Sequence, residues 1–212
     1  MDKLTEKILY SFPQDIFTDQ DLVNLIGETA DSRYGLVKRA CAHRGIIRVK
    51  RGLYCLAPPY QRHPVNLYQV AQYIYGPSYV SMDSALSYHG WIPEAVRSMT
   101  MACMKKSNDF LTPLGAFSFK RIPVQVFYSD VERMAPDKGV AFLMARPLKA
   151  LADYVYAHKQ DWEGLAPVVE SLRIEPDSLE KISTEELDSL SEGYQSKRVR
   201  RFIEGIKKDL KR

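Results

Sequence analysis

The first sixty residues alternate apolar and polar positions in a way that changes period along the chain. Leu4, Ile8 and Leu9, with Phe12 beyond them, follow helix spacing, and Pro13 ends that helix. Thr18 stands as an N-cap, and Asp21 three residues on reinforces the first turn. Leu22, Val23, Leu25 and Ile26 form the apolar side of a short second helix that Gly27 stops. A turn over Glu28 to Ala30 leads to Asp31 or Ser32, either of which can cap again. Leu36, Val37, Ala40 and Cys41 then give a third helix with one buried stripe, closed by Gly45. The period drops to two at Ile46-Ile47-Arg48-Val49. Lys50-Arg51-Gly52 reads as a tight turn, and Leu53-Tyr54-Cys55-Leu56 as the return strand. Pro58-Pro59 breaks the chain.

Helix, helix, short turn, helix, hairpin is the element order of a winged helix-turn-helix. The pattern therefore predicts an α+β protein with a winged helix-turn-helix over residues 1–60. After the Pro58 to Pro64 boundary comes a mixed α+β domain over 64–212 with a helical C-terminus. In that second part, Val65 to Tyr75 reads as a helix ended by Gly76-Pro77, and Tyr79-Val80 as a short strand. Ser81 or Asp83 caps a helix closed by Gly90. Val96 to Met104 reads as a buried strand, and Gly115 to Lys120 and Pro123 to Tyr128 as two strands paired across Arg121-Ile122. Gly139 to Met144 is a strand or a loop. Pro147 opens a helix through Leu148, Leu151, Ala152 and Val155. Helices over 161–172, 184–190 and 196–210 complete the reading. No internal repeat is visible.

Charge sharpens the picture of the first part. Met1 to Asp31 holds two basic and seven acidic residues. Ser32 to Arg62 holds eight basic residues and no acidic one. A one-signed stretch of that length is an anion-binding face or a face that repels itself. With the apolar stripe of the third helix turned inward, Ser32, Arg33, Lys38, Arg39 and His43 face outward. Ser32 and Arg33, with Tyr34, lie near the helix N-terminus, where side chains of a recognition helix reach base edges in the major groove. Lys38, Arg39 and Arg44 are placed for phosphate, and Arg48, Lys50 and Arg51 sit on the hairpin. These ten residues are the candidate contacts to double-stranded DNA. A surface helix can be basic for no reason of binding, and winged helices also serve as protein-binding modules. That second reading stays open.

Other function classes leave little trace. The chain contains no G-x-x-x-x-G-K-[ST], G-x-G-x-x-G, H-E-x-x-H or G-x-S-x-G motif, so neither an enzyme nor a cofactor or metal site is expected. Cys41, Cys55 and Cys103 are odd in number and widely spaced, as buried thiols of a reducing compartment would be. His89 in the last turn of its helix suits a backbone carbonyl and the helix dipole better than catalysis. Ser81, Asp83 and Ser84 resemble a polar pocket but read first as capping residues. Asp153 and Glu170 read as solvated or paired surface. No apolar run reaches the roughly 18 residues of a membrane span. The charged N-terminus leads into no apolar stretch, so a cytoplasmic protein without a signal peptide is expected. The tail is charge-blocked: Glu170 to Glu192 holds eight acidic and two basic residues, Tyr194 to Arg212 eight basic and two acidic. The blocks can pair with each other, or the basic end can add a second contact to DNA or to a charged partner.

Four short segments, in order, resemble one family. They are Arg51-Gly52-Leu53-Tyr54 before a proline, Tyr79-Val80-Ser81-Met82-Asp83-Ser84-Ala85-Leu86-Ser87-Tyr88-His89-Gly90, Leu114-Gly115-Ala116-Phe117-Ser118-Phe119, and Ala145-Arg146-Pro147-Leu148-Lys149-Ala150-Leu151-Ala152-Asp153-Tyr154. Together they resemble the AbiEi antitoxins of type IV toxin–antitoxin and abortive-infection systems, over about residues 18 to 160. The resemblance implies a winged helix that binds inverted repeats upstream of its own operon and represses it. It also implies a C-terminal domain that counters a nucleotidyltransferase-like toxin. Related regulators with the same plan occur without a toxin gene, so a stand-alone transcriptional regulator is the alternative.

Overall fold

The computed structural model of the chain describes residues 1–27, 29–93, 96–137, 139–180 and 182–210. Helix α1 (Lys3–Ser11) starts where the Asp2 carboxylate accepts from the Leu4 and Thr5 amides. After Pro13 comes a three-residue strand, β1 (Ile16–Thr18), too short to leave a periodic signal. Helix α2 (Asp19–Ile26) opens on the expected capping box: the Thr18 hydroxyl accepts from the Asp21 amide and the Asp21 carboxylate from the Thr18 amide. It ends at Gly27, in the left-handed region at φ 66°.

Helix α3 (Ala30–Ala42) begins two residues earlier than the sequence pattern implied. Its cap is Thr29, whose hydroxyl accepts from the Ser32 amide, so Asp31 and Ser32 lie in the first turn instead of capping it. Of the expected turn over 28–30, Glu28 lies outside the described residues. The left-handed residue after α3 is Arg44, at φ 54°, and not Gly45. Gly45 has another reason to be glycine. A β-carbon there would run into the Thr5 hydroxyl and the Asp2 carboxylate, the pair that starts α1. Gly45→Ala is therefore expected to lower stability by about 1–3 kcal/mol through overpacking, read as a fall in the urea midpoint. An unchanged midpoint would show that α1 is not seated there.

Strands β2 (Ile46–Lys50) and β3 (Leu53–Leu56) form the hairpin, and β1 joins the far side of β3 to give the sheet order β1-β3-β2. Strand β3 is buried on both faces. Alternation sorts its residues. Tyr54 and Leu56 pack with Leu4, Ile8, Phe17, Leu22 and Val37 beneath the three helices. Leu53 and Cys55, with Val49 from β2, belong to the larger core formed by the rest of the chain. The hairpin is thus shared between two cores. The connection through Pro58–Tyr60, a 3-10 turn, is the covalent boundary only.

The rest of the described chain runs α4 (Leu67–Ile74), β4 (Ser78–Val80), α5 (Met82–Tyr88), β5 (Ser98–Cys103), β6 (Asn108–Thr112), β7 (Gly115–Arg121), β8 (Val131–Met134), β9 (Phe142–Ala145), α6 (Pro147–Ala157), α7 (Ala166–Leu172), α8 (Pro176–Glu180), α9 (Thr184–Gly193) and α10 (Lys197–Asp209). Its sheet has the order β6-β7-β5-β4-β9-β8. β5 pairs with β7, and β4 with β9, in parallel; the other pairings are antiparallel. Helix α6 packs against α5 on one side and against α9 and α10 on the other. The protein is therefore of mixed α+β class, with two sheets among the described residues.

Two expectations in this part fail, and both concern sheet edges. Residues 123–128 are not a strand but a 3-10 turn over Val124–Val126, as Pro123 lacks the amide a ladder needs. The antiparallel partner of β7 is β6, whose exposed edge residues carry no alternation to read. Edge strand β8 was hidden the same way.

Candidate nucleic-acid interface

Helix α3 buries Val37 and Ala40. At 100° per residue that choice turns Ser32, Lys38, Arg39 and His43 to the exposed side, as the sequence pattern requires, whereas Arg33, expected with them, is half-buried on the face of Val37, one turn before it. Arg44 is exposed just past the helix end. Tyr34, at 64% exposure, lies on the flank that faces the hairpin. There Arg33 and Tyr34, with Arg48 and Arg51, line a groove of about 560 Å³ together with Val23 and Val37. Residues separated by fourteen or more positions are thereby gathered on one surface.

Among the described residues the groove holds one carboxylate, Asp19 at the start of α2. It accepts a hydrogen bond from the Tyr54 hydroxyl; burial, and then that bond and the Asp19 charge, push the Tyr54 phenol up to about 12. Among the described residues Lys38, Arg39, Arg44 and Arg51 enter no ion pair. The described surface is therefore cationic at neutral pH, with Asp19 bonded to a phenol.

Of the eight basic residues between 32 and 62, Arg33, Arg48 and Arg51 line the groove, and Arg62 and Lys50 are turned away from it. Arg62 pairs with Asp15 at 2.6 Å and donates to the Leu9 and Phe12 carbonyls, tying the linker to the end of α1. Lys50, expected on the hairpin's outer face, points the other way. Its ammonium donates to the backbone carbonyl of Ile74 and lies 5.8 Å from the centre of the Phe110 ring. Burial first, and then the charge of Lys105, push its pKa down. The reason is a bulge: the pairing of β2 with β3 shifts register between Arg48 and Lys50, and a one-residue slip moves a side chain to the opposite face.

The second part of the chain holds a buried polar cluster that sequence reasoning missed. Lys149 and Asp153, one turn apart on α6, are both fully buried, 2.7 Å apart. Asp153 accepts further bonds from the hydroxyls of Tyr79 (2.8 Å), Ser81 (2.7 Å) and Tyr194. Lys149 also donates to the Tyr194 oxygen at 2.9 Å. Burial, and then the Asp153 charge, hold both phenols well above their ordinary range. Ser81 occupies the N-cap position of α5, but its hydroxyl makes no cap bond. Asp153 is a core group, not a surface one.

The remaining candidates resolve simply. His89 sets its Nε2 3.0 Å from the Ala145 carbonyl, at the end of α5. It borders a cavity of about 430 Å³ with Trp91, Arg146 and Glu186. Arg146 there pairs with Glu132 at 2.7 Å and Glu186 at 3.4 Å. The three cysteines are free thiols. Among the described residues no group of His, Cys, Asp and Glu is arranged to hold a metal, and no helix is long and apolar enough to cross a membrane. The tail blocks meet where Lys207 pairs with Asp188 at 2.8 Å, whereas Arg198 and Arg201 pair with Asp161, which precedes the acidic block, at 3.0 and 3.3 Å. Lys211 and Arg212 of the basic end lie outside the described residues. Compared with protein-family models and with curated proteins, the chain matches none.

Proposed function

We propose that residues 1–60 act as a winged helix-turn-helix that grips duplex DNA, and that the chain is a transcriptional repressor. One observation carries the reading. Arg33 and Tyr34 of α3 and Arg48 and Arg51 of the hairpin converge on one groove whose only carboxylate among the described residues is bonded to Tyr54. An element order of helix, strand, helix, helix and hairpin supports it, since such units lay the last helix in the major groove and the hairpin on the backbone. Arg33 near the start of α3 reads a base edge. Lys38, Arg39, Arg44, Arg48 and Arg51 neutralise phosphates.

The resemblance to AbiEi antitoxins extends the proposal. The DNA is then an inverted repeat upstream of the chain's own operon, and residues 64–212 counter a nucleotidyltransferase-like toxin.

The test is binding of the purified chain to its own upstream DNA and to a shuffled duplex across a salt series. A preference of roughly a thousandfold or more for its own DNA is expected, together with a steep salt dependence. Arg33→Ala is expected to relax preference at one base pair by about 1–3 kcal/mol. Equal, salt-insensitive binding to both duplexes would sink the repressor reading. An unchanged base preference in Arg33→Ala would move α3 out of the groove.

A further inference from the structure

The tip of the β2–β3 hairpin is anchored outside the first sixty residues. Val49, Leu53 and Cys55 are buried in the larger core, and Lys50 reaches the carbonyl of Ile74, the last residue of α4. The last four carbonyls of a helix have no partner within it. Helix α4 has no basic residue in its last turn, so the cation that meets the negative end of its dipole comes from the hairpin. The same ammonium lies over Phe110 of edge strand β6. That ring is held between Tyr75 and Phe119, with centroids 5.5 and 5.6 Å away. Lys105 closes the cluster, 5.5 Å from the centre of the Tyr75 ring.

Adjacent residues thus take opposite tasks. Lys50 turns inward to the second part of the chain, and Arg51 turns outward beside the groove. The bulge between Arg48 and Lys50 sets that division. A bulge bends its strand and re-aims side chains. The first sixty residues hold the tip on one side, where the Gly52 carbonyl accepts from the Asp19 amide and β3 pairs with β1, and Lys50 adds the hold on the second part of the chain.

We propose that Lys50 is a positioning residue for DNA binding: by capping α4 it locks the hairpin tip to the second part of the chain and fixes where Arg48 and Arg51 stand relative to α3. This rests on the DNA-binding reading of residues 1–60. It makes the second part of the chain a component of the grip, through a contact that meets no DNA itself.

The experiment uses the full chain, its upstream DNA and a salt series, with Lys50→Met, Lys50→Arg and Arg51→Ala. Arg51→Ala flattens the log–log salt slope by about 0.9, the loss of one phosphate contact. Lys50→Met lowers affinity about tenfold, the cost of ordering a loosened tip on binding, and leaves the slope unchanged. Lys50→Arg restores affinity, because a guanidinium still donates to the Ile74 carbonyl. In the DNA-free protein, the amides of Arg51 and Gly52 exchange faster in Lys50→Met while those of β7 do not change. Where Lys50→Met loses its fold, Lys50→Gln is read for the same two quantities. The proposal is overturned if Lys50→Met flattens the slope as Arg51→Ala does, for then Lys50 meets phosphate directly. It is also overturned if the variant leaves affinity and tip exchange as in wild type, or if Lys50→Arg fails to recover. A wild-type chain that binds neither duplex in a salt-dependent way overturns the DNA reading itself, and that is seen before any variant is compared.

Discussion

Asp153→Ala is expected to lower the unfolding free energy by about 3–5 kcal/mol, because it strands the Lys149 ammonium in the core. In the intact protein that ammonium has a carboxylate at 2.7 Å and the Tyr194 oxygen at 2.9 Å. It also lies 5.5 and 4.9 Å from the ring centres of Tyr79 and Tyr194. The substitution removes the carboxylate bonded to Lys149 and takes the acceptor from three hydroxyls at once, those of Tyr79, Ser81 and Tyr194. Each orphaned buried donor costs about 1–3 kcal/mol where no water replaces its partner. Neutralising the pair with Lys149→Met and Asp153→Leu does not repair this, since the hydroxyls stay unpaired. Adding Tyr79→Phe, Tyr194→Phe and Ser81→Ala is expected to recover most of the loss, as a half-satisfied network is worse than an apolar one. Urea unfolding with an unchanged m-value measures each step. A loss below about 1 kcal/mol for Asp153→Ala would mean that water reaches the site.

The network also explains how the tail is held. Tyr194 follows α9, Asp153 lies on α6 and Tyr79 on β4. One carboxylate therefore ties the C-terminal helix pair to the central sheet. The ion pairs of the basic end have solvent-exposed carboxylates, Asp161 and Asp188, and such pairs contribute little, about 0–1 kcal/mol each. The buried cluster and the apolar faces of α9 and α10, including Leu187, Leu190, Phe202 and Ile206, hold the tail in place.

What was legible in the sequence follows the range of the interaction. The caps of α2 are closed by residues three apart, Thr18 and Asp21, and local pattern finds them. The outward set on α3 follows from one helical period, and four of the candidate contacts, Arg33, Tyr34, Arg48 and Arg51, line one groove. Lys50 escapes because its direction depends on a bulge, a shift that alternation cannot register. Ser81 escapes because its partner is 72 residues away. Asp153 looks like half of an exposed i, i+4 pair with Lys149, and spacing alone favours that reading. A signal against it was present. Leu148, Ala150, Leu151, Ala152 and Val155 leave α6 apolar nearly all round, and a helix of that kind is buried, charged residues included.

Replacing Arg48 and Arg51 together by alanine is expected to weaken DNA binding roughly a hundredfold at 50 mM salt and about eightfold at 200 mM. Both side chains are exposed and border the groove, so the fold is expected to hold within about 0.5 kcal/mol. The salt dependence is the point of the pair. Each arginine that neutralises a phosphate releases condensed counterions, and removing it takes about 0.9 from the log–log slope. Two contacts therefore cost most where salt is lowest, and the loss falls equally on the upstream DNA and on a shuffled duplex. Arg33→Ala differs in kind, because a base-edge contact changes the ratio between the two duplexes. A double variant that loses affinity only for its own upstream DNA would place the hairpin on base edges instead of the backbone. One that binds both duplexes as tightly as wild type would remove the hairpin from the interface and leave α3 to hold the duplex alone.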